Sequence, residues 1–143
     1  MSFALDVKAF CDKAKKNPEI VMRQVSIKLF SAIIKGTPVL DGELRMNWQA
    51  SGPSAATGVV PGFDKTGSKA IGNMTSFILV AGAWQEFTLT NNKDYAPVVE
   101  YGLYPGNGPN TVGGFSKQAP SGMVRVNITR FNALLEQEAA KVK

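Results

Sequence analysis

Apolar residues recur along this chain with two different periods, and each period predicts a different element. Phe3, Val7, Phe10 and Ala14 follow three- and four-residue spacing, which predicts a short amphipathic helix over residues 3–16. Asn17-Pro18 restarts the helix, because Asn is a good N-cap and Pro is tolerated at the first helical position. Gly36 supplies a stop before Thr37-Pro38, so the second predicted helix covers residues 18–35. On a 100° wheel Gln24, Lys28, Ser31 and Lys35 form one narrow polar stripe, and apolar residues take most of the remaining circumference. A surface helix needs only one apolar side. Helix 18–35 therefore either crosses the middle of the core or shows part of its surface to another subunit.

Period two follows. In LDGELRMNWQAS an Asp41-Gly42 turn precedes Leu44, Met46 and Trp48, which alternate with polar residues and predict a strand. Residues 52–69 are small, Gly/Pro-rich and aperiodic, and read as a long loop. Ala70, Ile71, Met74, Phe77, Ile78 and Ala81 return to helical spacing, although FILVA alone could be a buried strand. QEFTLTN predicts a second strand ending at Asn91-Asn92, and DYAPVVEYG a helical turn or two closed by Gly102. After a glycine-rich loop, Val124, Ile128, Phe131, Leu135 and Val142 fall on one helical face. Val124, Val126 and Ile128 also alternate, so the first turns could be strand instead. The whole predicts an α+β fold, a small antiparallel sheet flanked by helices with long Gly/Pro-rich loops, in one domain over residues 1–143.

Composition narrows the chemistry. The chain has 143 residues, 44% of them hydrophobic, which is enough to bury a core without metal or disulfide. Its one cysteine, Cys11, cannot bridge internally, and no charged n-region with an apolar h-region opens the sequence. No apolar run approaches the roughly 20 residues a bilayer span requires, so no membrane contact is expected. With no histidine, the chain lacks the usual acid-base group near neutral pH, and any nucleophile–histidine pair is excluded. The net charge of +5 suits contact with an anionic surface, which keeps a small basic DNA-binding accessory protein as the alternative reading.

No motif points to catalysis or to a cofactor. GPNTVGG has the glycine spacing of a phosphate-binding loop, but Gly114-Phe115 stands where Lys-Ser/Thr is required. In GFDKTGSK the order of Ser68-Lys69 is reversed. Asp94 and Glu100 beside Tyr95 and Tyr101 could be imagined as a carboxylate pair, yet nothing in the sequence brings them together. Tyr95, Tyr101 and Tyr104 cluster beside an acid rather than among basic residues, which disfavours a base-stacking platform. No enzyme, no cofactor and no metal is expected.

Three segments, GTPVLDGELRMNW, YAPVVEYGLYPG and SKQAPSGMVRV, in this order and spacing, resemble the neck family of long-tailed bacteriophages, the small head-tail joining and tail-completion or minor tail proteins. The resemblance runs from about Lys35 to about Phe131. It implies a non-enzymatic building block of the virion that closes into a homo-oligomeric ring, preferably a hexamer, between the DNA-filled head and the tail. Other neck, connector and tail-tube proteins would be its partners, and assembly would take place in the host cytoplasm. The candidate subunit or ring interface comprises Tyr95, Glu100, Tyr101, Leu103, Tyr104, Phe115, Lys117, Gln118 and Arg125. Lys13, Lys15 and Lys16 are candidates for transient, non-specific contact with DNA in transit. The family pattern runs quickly from Glu-Tyr-Gly into Ser-Lys-Gln, whereas here Leu103 to Phe115 intervene. The enlarged loop, residues 103–118, is expected to be an arm that is mobile in the monomer and orders against a neighbour, or else an idle insertion.

Overall fold

In the computed structural model, which describes residues 1–5, 17–81, 86–106 and 108–141, the longest helix is also the centre of the core. This helix, α1 (Pro18–Lys35), starts where the sequence predicts: Asn17 Oδ1 accepts the N–H groups of Glu19 at 3.0 Å and Ile20 at 3.4 Å. Val21, Met22, Val25, Leu29, Phe30, Ile33 and Ile34 are at most 2% exposed. The helices α3 (Ser68–Val80), α5 (Arg125–Ile128) and α6 (Phe131–Ala140) pack around them. Of the two readings of α1, the core-crossing one accounts for most of its surface, since these side chains are covered within the chain, while Ile20 on the same helix is 42% exposed. Each covered side chain contributes about 1.5–3 kcal/mol of burial. Arg23 ties the end of α3 to α1, donating to the carbonyls of Ile78 and Ala81 and pairing with Glu19.

The sheet is antiparallel, in the order β1–β3–β2, built from β1 (Ser2–Leu5), β2 (Trp48–Ser51) and β3 (Phe87–Asn91). The architecture is α+β, a small sheet flanked by helices. β1 is a correction: residues 3–5 were expected to enter a helix. Four residues cannot separate a period of 3.6 from a period of two, and pairing with a distant strand decides the matter, with Ser2 opposite Thr90 and Leu5 opposite Phe87. The remainder of the expected 3–16 helix, including Cys11, Lys13, Lys15 and Lys16, lies outside the described residues.

The strand expected from Leu44 begins later. One helical turn, α2 (Glu43–Met46), precedes β2, started by Asp41 Oδ1 accepting the Glu43 N–H at 3.0 Å. The turn aims Arg45 at three carbonyls, those of Thr37 (2.8 Å), Lys65 (2.7 Å) and Lys35 (2.7 Å), the last at the negative end of α1. Arg45 thereby closes the end of α1 against the loop before α3. β3 is buried on both faces rather than alternately. Phe87 meets Phe77 of α3 edge to face, and the loop at 52–67 turns back over the other side, where Asn92 and Gln49 hold the Gly58 carbonyl.

The expected C-terminal helix is broken at Thr129-Arg130 into α5 and α6. Asn127 Nδ2 takes the Met123 carbonyl at 2.7 Å and Thr129 Oγ1 the Val126 carbonyl at 2.8 Å, so side chains compete with the backbone ladder at the break. Val124 and Leu135 are buried, but Ile128 is 42% exposed, which the single-face reading did not anticipate. Helix α4 (Ala96–Tyr101) ends at Gly102 as expected. Beyond it the 103–118 loop is a hairpin, β4 (Thr111–Val112) against β5 (Phe115–Ser116), turned through Gly113-Gly114 with positive φ at both.

Trp48 is 2% exposed, and its Nε1 donates to Thr37 Oγ1 at 2.8 Å, which in turn donates to the Ile33 carbonyl. Trp48→Ala should cost about 3–5 kcal/mol of stability through the cavity it leaves. Chemical denaturation measures this, and a loss below about 1 kcal/mol would contradict the packing.

Candidate functional site

The segments 95–104 and 116–125, separated in sequence by the hairpin, meet around one carboxylate. Helix α4 places Glu100 on its inner side, 1% exposed. Its Oε1 accepts the N–H groups of Met123 (2.6 Å) and Val124 (2.8 Å), and its Oε2 accepts the N–H (3.1 Å) and Nε (3.0 Å) of Arg125. Arg125 Nη2 returns a bond to the Glu100 carbonyl at 2.8 Å, while its guanidinium lies 4.8 Å from the centre of the Tyr101 ring. Burial alone would raise the Glu100 pKa. The N–H groups of Val124, Met123 and Arg125, with the Arg125 side chain, outweigh burial and hold the carboxyl below its ordinary value. The clasp needs glycine at 122, where φ is +86° and a Cβ would stand 2.7 Å from the Glu100 carbonyl oxygen.

A second tie joins the loop after α1 to the end of the hairpin. Gln118 Oε1 accepts the Val39 N–H and its Nε2 donates to the Val39 carbonyl, both at 2.9 Å, so one amide imitates a strand partner. The hairpin is fixed from its other side as well. Leu103 N–H donates to the Val98 carbonyl, Tyr104 N–H to that of Gly114 and Lys117 N–H to that of Asn110, at 2.9–3.0 Å. A Cβ on Gly114 would overlap the Gly102 carbonyl oxygen, so this glycine permits close backbone contact rather than motion. The expected mobile arm is thus a hairpin folded onto its own subunit.

Between the hairpin and the 38–44 loop lies a cleft of about 540 Å³, with Tyr95 and Tyr104 in its wall and Asn110, Thr111 and Ser116 on the hairpin side. Its size is that of a ligand- or side-chain-binding pocket. Burial pushes the Tyr95 pKa up to about 12, helped by the nearby charges of Glu43 and Asp41. Lys93 is the cation here, 3.6 Å from Glu43 and 5.5 Å from the Tyr95 ring centre.

The nine residues expected at an interface do not share one environment. Tyr95, Tyr104 and Gln118 line the cleft, whereas Tyr101, Leu103, Lys117 and Arg125 are exposed and Phe115 is half-buried against Gly102. Glu100 lies inside the subunit and can bear on a neighbour only through the Arg125 it orients. It is not joined to Asp94, which is exposed, so the imagined carboxylate pair does not form. Among the described residues, no cluster of three or more Cys, Asp or Glu side chains could hold a metal ion, and no helix is long and apolar enough to cross a membrane. The sequence reading missed Val39, Asp41 and Glu43. The conspicuous Asp-Gly turn was the available signal for them.

Glu100→Gln should lower stability by about 2 kcal/mol at pH 7, because the bonds it weakens are made to a buried charge. Since the folded-state pKa is depressed, the advantage of Glu100 is present above the unfolded value of about 4.3 and is lost as pH falls through the folded value. Denaturation curves of the two proteins should therefore converge below about pH 4.3, and a pH-independent difference would refute the ionised clasp.

No protein-family model, curated protein or solved structure matches this chain, so its residues and their geometry carry the functional reading.

Proposed function

We propose that this chain is a structural virion protein of a long-tailed phage, forming a ring at the neck that completes the tail and joins it to the DNA-filled head. The observation that carries the reading is the meeting of the three resembling segments. Thr37 supports Trp48, Val39 is held by Gln118, and Glu100 is held by the 122–125 turn. The residues that define the resemblance are therefore one contact system, as expected if they maintain a common scaffold. Identical subunits bearing two unlike surface patches close into a ring when the rotation between them permits. The hairpin is the part of this chain that departs from the family pattern, and it lies at the surface beside the scaffold. In this reading it sets which neighbouring ring or protein the subunit joins.

Deleting residues 105–114 tests this role. β4 and the turn contribute no large buried side chain, so the purified subunit should keep its melting transition, with loop shortening worth only a fraction of about 1 kcal/mol. Head–tail joining, scored by electron microscopy of particles, should fall sharply. Joined particles at normal yield would remove the hairpin from the function. Failure to find the chain at the neck, together with duplex binding that weakens steeply with salt, would favour the DNA-binding alternative.

A further inference from the structure

The cleft beside the hairpin and the loop leading into α3 are opposite in charge and share apolar rims. On the cleft side Asp41 and Glu43 stand with Asp94 next to Tyr95, and Leu40 on the rim is 90% exposed. Outside that group of three acids and Lys93, the chain carries 15 basic side chains against eight acidic ones. Of those eight, Asp64, Glu100 and Glu138 are buried. The acidic cleft thus belongs to a molecule that is otherwise distinctly basic. On the loop, Val59 is 60% and Phe63 57% exposed, and Lys65 and Lys69 are exposed with no ion pair among the described residues.

We propose that the cleft receives the 59–69 segment of a second copy of this chain, with Phe63 against Leu40 and the tyrosines and with Lys65 and Lys69 facing Asp41 and Glu43. The inference deepens, and rests on, the self-assembly proposed above. The 59–69 segment of the same molecule cannot fill the cleft. The Lys65 carbonyl is pinned by Arg45 at 2.7 Å, and the Asp64 N–H is held by the Gly42 carbonyl at 3.0 Å, so the loop is fixed beside the cleft and cannot enter it. Tyrosine walls, an aromatic anchor and a charged periphery match the composition of protein interfaces. Charge complementarity supplies the choice of partner, because the acidic cleft attracts the basic loop whereas the rest of the chain carries a net positive charge.

The experiment uses the full-length chain in two reversed forms, one with Asp41→Lys and Glu43→Lys, the other with Lys65→Glu and Lys69→Glu, each checked by thermal melting. Native mass measurement and sedimentation across a concentration series read the association. Each form alone should associate on the order of 30-fold more weakly than the wild type, the effect of losing a central contact. Mixed, they should recover most of the affinity, because each then offers the partner that the other lacks. Phe63→Ser, exposed and outside the core, should weaken association in the same way and covers the case in which the cleft variant does not fold. Wild-type-like association of the lysine-reversed and Phe63→Ser forms, or a folded mixture without recovery, overturns this contact and leaves the ring reading standing. A wild-type chain that is monomeric at every concentration overturns the contact in solution, whereas the ring itself is decided by imaging particles.

Discussion

The buried Glu100 carboxylate is the constraint on which the surface architecture depends. A charge that far from water is tolerated only with partners, and its partners come from a turn more than twenty residues further along the chain. Satisfying it fixes where α4 stands relative to the start of α5. With those two in place, the connection between them has to leave and return at set points, and the hairpin is what fills that interval. Val39 and Gln118 then position the 38–44 loop against the hairpin, and the cleft is the space left between them. The core proper is a separate matter, settled by the apolar surface of α1.

Electrostatics and packing divide the labour along a visible boundary. Around α1 the ordering is apolar, with Glu138 held at the margin by Lys28 at 2.7 Å and Lys141 at 3.1 Å. Around α4 the ordering is polar and directional, made of amide and guanidinium bonds to particular oxygens. The first kind tolerates changes of similar volume, whereas the second does not, since a missing donor leaves a buried acceptor unsatisfied.

Local signals gave the helices their limits, and tertiary pairing decided the rest. Asn17-Pro18 at the start of α1 and Gly102 after α4 act through neighbouring residues, and both were readable in the sequence. Ser2–Leu5 was not, because its conformation is set by β3. The turn at Glu43–Met46 was hidden for a related reason: the alternation of Leu44, Met46 and Trp48 was real, but Arg45 is committed to carbonyls on two other segments. At the site, the segments that would meet could be named from the resemblance, while the roles of their residues could not. Glu100 read as an interface acid and is an internal anchor. Gly114 read as part of a mobile arm and instead admits a close backbone contact with Gly102 of its own subunit. Spacing conveys which residue types are present, and only the fold reveals which backbone groups remain for them to satisfy.

The middle strand of the sheet has a further consequence for how the protein is made. β1 precedes α1 along the chain, and the strand it needs, β3, is synthesised only after α1, β2 and α3. No two strands of the three-stranded sheet are joined by a tight turn, so each pairing closes a long loop and none can nucleate locally. Helices can form early around α1, while both outer strands wait for the same late partner. The sheet is then assembled in one cooperative step, and until that step the nascent subunit offers open strand edges to its surroundings.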